Sequence, residues 1–250
     1  MPTQLGLAWC LDQSGQKKSA VTEYRKALKL AWTEEVEKGD GHGLGPGVCY
    51  SEEIIRYLLK LLDPINDKAE IAELNKAAAN LSSMPRAITP ILVPLEANAS
   101  FTELVDPLAA VPFDLDGSGR VRSWGWITPK AAWLVFNPER GRITSALQLF
   151  GSVTFWIFWS DGYAALAALD DDRDGFLRGA ELHGLMLWQD RNRNGVSEPE
   201  ELIPVEDAGI AGIACSGSKH ESGCQWNPAG VIYRNGTSRP SYDWIAPAVR

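Results

Sequence analysis

Between residues 170 and 201 the chain writes one pattern of oxygen donors twice. The first copy, 170–181, has Asp170, Asp172 and Asp174 at positions 1, 3 and 5, Gly175 at position 6 and Glu181 at position 12. The second, 190–201, has Asp190, Asn192 and Asn194 at positions 1, 3 and 5, Gly195 at position 6 and Glu201 at position 12. Carboxylates crowded this closely repel one another unless donors or a cation face them. Whatever the chain folds into must therefore hold two tight, oxygen-lined loops.

The spacing fits calcium, which takes six to eight oxygens at about 2.3–2.6 Å and so needs a chain that wraps around it. Alternate side chains point inward, and position 7 adds a backbone carbonyl, from Phe176 or Val196. Glycine at position 6 permits the sharp turn. Glu181 and Glu201 are the bidentate ligands of an EF-hand-type loop. No His or Cys stands at a ligand position, which excludes a soft metal. Two calcium sites follow, with the first loop binding tighter because it carries four carboxylates. A third stretch, Asp114, Asp116 and Ser118 before Gly119, has Gly125 at position 12. It reads either as a calcium loop completed by a remote carboxylate or as an Asx turn held by its own side chains. Residues 137–144 keep a Gly-x-aliphatic core but lack acidic ligands, so no metal is expected there.

Residues 182–189, all that lies between the two good loops, predict one helix of about 12–17 Å joining them. The ions would then sit at its opposite ends. Leu177, at position 8 of the first loop, is expected to pair with Ile143 of the degenerate loop, because Ser197 stands where the second loop would offer an aliphatic partner.

With 250 residues, 45% of them hydrophobic, the chain can bury one large core or two smaller ones. A net charge of −8 and no basic run exclude nucleic acid as a partner. The longest apolar run, 153–159, is too short to span a bilayer. Of four cysteines, Cys215 and Cys224 flank a polar loop and are either bridged or free. No basic segment opens the chain as a signal peptide does. It reads as truncated before Met1, with a periplasmic or extracellular setting favoured over the cytoplasm.

Residues 5–32 read as a helical hairpin broken near Ser14-Gly15, with Ala20, Tyr24, Ala27 and Leu28 as the stripe of its second helix. Two further helices follow, one from Ser51 and one from an Asp67/Glu70 capping box. The Gly-rich segment 39–47 is a connector. From residue 87 the texture changes to short β-like segments broken by Pro90, Pro94, Pro107 and Pro112. An Asn235-Gly236 hairpin signal stands near the end. The predicted organisation is a helical domain 1–84 and a β-containing domain 85–250.

The run Gly15, Ala20-x-x-x-Tyr24, Ala27-Leu28 resembles a partial tetratricopeptide repeat. Phe113–Gly117, Leu149–Gly151, Gly162–Asp170 and Trp188–Glu201 together resemble a group of bacterial EF-hand proteins, some linked to such repeats. The resemblance implies an α+β fold. Tetratricopeptide-like helical hairpins would lead into an EF-hand-containing domain with short β-strands and a C-terminal β-hairpin. It implies calcium binding; it does not imply a reaction. No Ser/His/Asp or Cys/His set and no phosphate loop is present, so the expected function is a calcium-stabilised structural module and not an enzyme. The alternative is an adaptor, tetratricopeptide- or dockerin-like, that takes a protein or peptide through the helical region.

Overall fold

The computed structural model describes residues 2–33, 50–83, 88–156 and 159–249. The chain divides into two compact units, Met1–Arg86 and Ala87–Arg250. The connector at 39–47 and Cys49 lie outside the described residues.

The first unit contains helices α1 (Pro2–Gln13), α2 (Lys17–Trp32), α3 (Tyr50–Leu61) and α4 (Lys68–Ser83). On α2 the buried residues Ala20, Tyr24, Ala27 and Ala31 recur every three or four positions and form one apolar stripe. They share a core with Ala8, Ile54, Ile55, Leu58, Leu74 and Leu81. The expected Asp67/Glu70 capping box does not form. Glu70 instead takes the Arg25 guanidinium in a forked pair at 2.9 and 2.5 Å, and Asp67 accepts the Asp63 backbone N–H at 2.9 Å.

The second unit is built on a curled antiparallel sheet, a half-barrel of eight strands. In chain order these are β1 (Ile91–Pro94), β4 (Ala131–Phe136), β5 (Phe176–Arg178), β6 (Leu185–Trp188), β7 (Leu202–Pro204), β8 (Ile210–Ala214), β10 (Gln225–Tyr233) and β11 (Ser238–Asp243). Their spatial order is β5-β8-β10-β11-β1-β4-β6-β7, and the two-residue β9 (Ser218–Lys219) pairs with β10. Strands β2 (Val105–Phe113) and β3 (Arg122–Ile127) make a separate two-stranded ribbon. Short helices α5 (Phe101–Leu104) and α6 (Gly162–Ala167) complete the unit.

The central strands are buried on both faces, which is why they read as unbroken apolar runs. Along β4, Ala131, Trp133 and Val135 join the core that contains Trp124 and Trp126 of the ribbon. The intervening Ala132 and Leu134 join the opposite core with Phe150 and Leu166. β6 divides in the same way, Met186 and Trp188 to one side, Leu185 and Leu187 to the other.

This architecture corrects the expected fold class. Only 34% of the chain is helical, and the body is a curled sheet, not an EF-hand domain led by helical hairpins. The connection at 182–189 is the clearest case. It forms strand β6, paired with β4 through Trp133↔Trp188 and Leu134↔Leu187. Gly184, at φ +84, starts it, and a Cβ there would lie 3.0 Å from Pro138. The apolar run that follows is a doubly buried strand, a pattern that periodicity alone does not separate from a short buried helix. The expected pairing of Leu177 with Ile143 is corrected as well. Leu177 pairs with Ile213 across β5 and β8, while the Ile143 N–H donates to the Ser197 hydroxyl at 2.7 Å.

Candidate metal centre

The two good loops enter from different elements and adopt one backbone. The first follows α6 and runs into edge strand β5. The second connects β6 to β7, which pair through Trp188↔Leu202 and Leu187↔Ile203. Each ends in a single 3₁₀ turn, Gly179–Leu182 or Pro199–Glu201. No helix–loop–helix is formed, because twelve ligand-spaced residues specify the loop and its flanks specify the rest.

Six hydrogen bonds correspond between the loops. The N–H at position 6 donates to the position 1 carboxylate, Gly175 to Asp170 at 2.9 Å and Gly195 to Asp190 at 2.8 Å. The N–H at position 5 reaches both position 1 and position 3: Asp174 to Asp170 and Asp172, and Asn194 to Asp190 and Asn192, all at 3.0–3.2 Å. Position 7 donates to position 5, Phe176 to Asp174 at 2.8 Å and Val196 to Asn194 at 2.7 Å. The position 12 carboxylate accepts from positions 2 and 9. Glu181 takes Asp171 at 2.8 Å and Arg178 at 2.9 Å. Glu201 takes Arg191 at 2.8 Å and Glu198 at 3.4 Å. Position 4 is left-handed in both, Arg173 at φ +60 and Arg193 at φ +58. Together these bonds fold both loops through the same turn. In the first loop the Asp170, Asp172 and Asp174 oxygens lie within 4.8 Å of one another.

Their surroundings differ. Asp172 and Asp174 are exposed, and Asp174 pairs with Arg178, whose guanidinium lies 4.2 Å from the Phe176 ring centroid. In the second loop Asp190 is fully buried and Glu201 is 3% exposed. The Trp126 indole N–H donates to Asp190 at 2.7 Å. Trp126 in turn meets Phe113, Trp133 and Trp188 at ring-centroid distances of 5.4–5.7 Å. Burial raises the Asp190 carboxyl above its ordinary range, against the Gly195, Asn194 and Trp126 donors that lower it. Burial also raises Glu201, with Glu198 beside it adding to the shift. Arg193 reaches across to Asp106 on β2 at 2.5 Å. Trp126 and Ser197 are contacts that the loop sequences do not announce, because their partners lie 64 and 54 residues away.

The third loop shares part of this backbone. Gly117 at φ +63 and Gly119 at φ +76 match positions 4 and 6. Gly119 N–H donates to Asp114, and Ser118 N–H to Asp116, both at 3.1 Å. Position 12 is closed to any side chain, since a Cβ on Gly125 would lie 2.8 Å from the Pro107 carbonyl oxygen. Asp116 is 3.4 Å from the Arg122 guanidinium Nε, and burial raises the Asp114 carboxyl. The degenerate loop closes on itself, with Asn137 bonded to Gly141 through both amide atoms at 2.8 and 3.1 Å. Cys215 and Cys224 are both buried free thiols. Among the described residues no helix is long and apolar enough to cross a membrane.

Comparison with known proteins places these loops in a family. The family model for the SPM domain matches residues 95–239. The iron-regulated protein FrpA of Neisseria meningitidis serogroup C is 31% identical over 130 residues, which cover 50% of this chain and 12% of that protein. No EF-hand or tetratricopeptide family matches. The resemblance to bacterial EF-hand proteins with a partial tetratricopeptide repeat is thereby corrected. The ligand spacing that suggested it belongs to loops set in a sheet, and a helical stripe of Ala and Tyr suits any hairpin that packs closely.

Proposed function

This chain belongs to the SPM-domain family, and we propose that its family region is a calcium-binding module in which the ion has a structural, non-catalytic role. One observation carries the reading. Two loops, 20 residues apart and built on different flanks, are folded by the same six hydrogen bonds. Oxygen-only donors at alternate positions suit a hard cation that accepts six to eight ligands. Three carboxylate oxygens within 4.8 Å repel one another, and a divalent ion would remove that repulsion.

In the first loop the ligands would be Asp170, Asp172, Asp174, the Phe176 carbonyl and Glu181. In the second they would be Asp190, Asn192, Asn194, the Val196 carbonyl and Glu201. The third loop, Asp114, Asp116 and Ser118, fits poorly, because Gly125 admits no carboxylate and Arg122 already supplies positive charge to Asp116. Two calcium ions are therefore proposed. They would tie down the β5 edge and the β6–β7 connection at the two ends of the strand order.

Binding to the folded state alone stabilises by RT ln(1 + [L]/Kd), about 2.7 kcal/mol at a hundredfold excess over Kd. Thermal unfolding in millimolar calcium and in chelator tests the reading. A melting temperature several degrees higher with calcium supports it, and superimposable curves would sink it.

A further inference from the structure

Helices α1 and α3 wall a cleft of about 330 Å³ lined by Leu5, Gly6, Trp9, Tyr50, Glu53 and Tyr57. That volume lies within the range of small-molecule sites, about 300–1,000 Å³. Three of the six lining residues are aromatic, and Glu53 is the one carboxylate. Two of these groups are held in place. The Tyr57 ring stacks on buried Tyr24 at 5.5 Å, and its hydroxyl donates to Glu53 Oε1 at 3.0 Å. Arg56 and Lys60, one and three residues from Tyr57 on α3, stand 5.9 and 6.0 Å from its ring centroid. Trp9 is 47% exposed and turns indole surface to solvent. At Gly6 a Cβ would meet nothing within 4 Å, so the cleft is open there.

The chemistry of the lining selects its guest. Aromatic faces attract a positive charge through their quadrupole, and most strongly where water is displaced. A bare ammonium loses too much hydration for one carboxylate to offset. A methylated ammonium is weakly hydrated and presents methyl groups that pack against rings. We propose that this cleft binds a small methylated ammonium ion, with its charge facing Glu53 and its methyl groups packed on Trp9, Tyr50 and Tyr57. This site is independent of the calcium reading.

The test is calorimetric titration of the full chain with choline and tetramethylammonium, set against 3,3-dimethylbutan-1-ol, the uncharged isostere of choline. Saturable binding of both cations is expected, with the isostere at least tenfold weaker. Trp9→Ala and Gly6→Leu should each weaken choline at least tenfold, and Glu53→Gln several-fold. Gly6→Leu fills the cleft and replaces a poor helix former with a good one, so its effect is not a loss of folding, and circular dichroism checks this. Equal affinity for choline and its isostere, unchanged binding in Gly6→Leu, or no saturable binding would overturn the proposal.

Discussion

The first and second loops have one backbone in two settings. The first stands at the sheet edge with Asp172 and Asp174 in solvent. The second is pressed against the β2–β3 ribbon, with Asp190 under the Trp126 indole. Local sequence determines the turn, and the tertiary setting determines what each residue in it is worth. More carboxylates give the first loop the stronger pull on a cation. In the second loop Asp190 and Glu201 are instead buried, so perturbing it should cost the fold more.

Glycine at position 6 gives the largest expected contrast. Gly195 has φ +70, and a Cβ there would lie 2.3 Å from the Pro112 carbonyl oxygen. Gly195→Ala should cost about 3–5 kcal/mol from left-handed strain and overpacking together. Gly175 has φ +87 with nothing within 4 Å of the Cβ position, so Gly175→Ala should cost only the strain, about 1–2 kcal/mol. Urea unfolding of the two variants measures the gap. Equal losses would show that the two settings do not differ as described.

Trp126→Phe keeps the aromatic packing and deletes the indole donor to Asp190. A lost hydrogen bond to a buried carboxylate costs about 1–3 kcal/mol. Calcium affinity should fall at the second loop and stay unchanged at the first, as read by titration in backgrounds that retain one loop each.

Away from both loops, pH dependence supplies a reference. Asp243 is 2% exposed, and burial raises its carboxyl to about 8 against the Gly162 N–H that lowers it. The folded state keeps this proton from its unfolded value of 3.8 up to about pH 8, whereas the unfolded chain releases it. Stability should therefore fall as pH rises through that window, by up to about 1.4 kcal/mol per pH unit. Asp243→Asn should remove this slope. Identical pH profiles for the two proteins would refute the assignment.

The smallest effect belongs to position 4. Arg193→Asn breaks the half-exposed pair with Asp106, and Asn tolerates the left-handed backbone. A slight destabilisation that vanishes in high salt is expected, while Arg173→Asn should be neutral. A large effect at Arg173 would reverse the comparison.

The oxygen spacing of both loops is legible in the chain, since positions 1, 3, 5, 6 and 12 are local. What they are mounted on is not. Residues 182–189 carry an apolar run that either a helix or a doubly buried strand can use, and the pairing with β4 decides for the strand. The same limit hides Trp126 and Ile143, which reach Asp190 and Ser197 of the second loop from elsewhere in the fold. Gly125 illustrates the reverse. Its place at position 12 reads as a missing ligand, while its cause is the close approach of the Pro107 backbone.

The most direct test is calorimetric titration with calcium of the wild-type chain, Glu181→Gln and Glu201→Gln. Two binding events are predicted for the wild type and one for each variant, with the tighter event lost in Glu181→Gln. A wild-type chain that takes up no calcium at millimolar concentration, or variants that titrate as the wild type does, would contradict it.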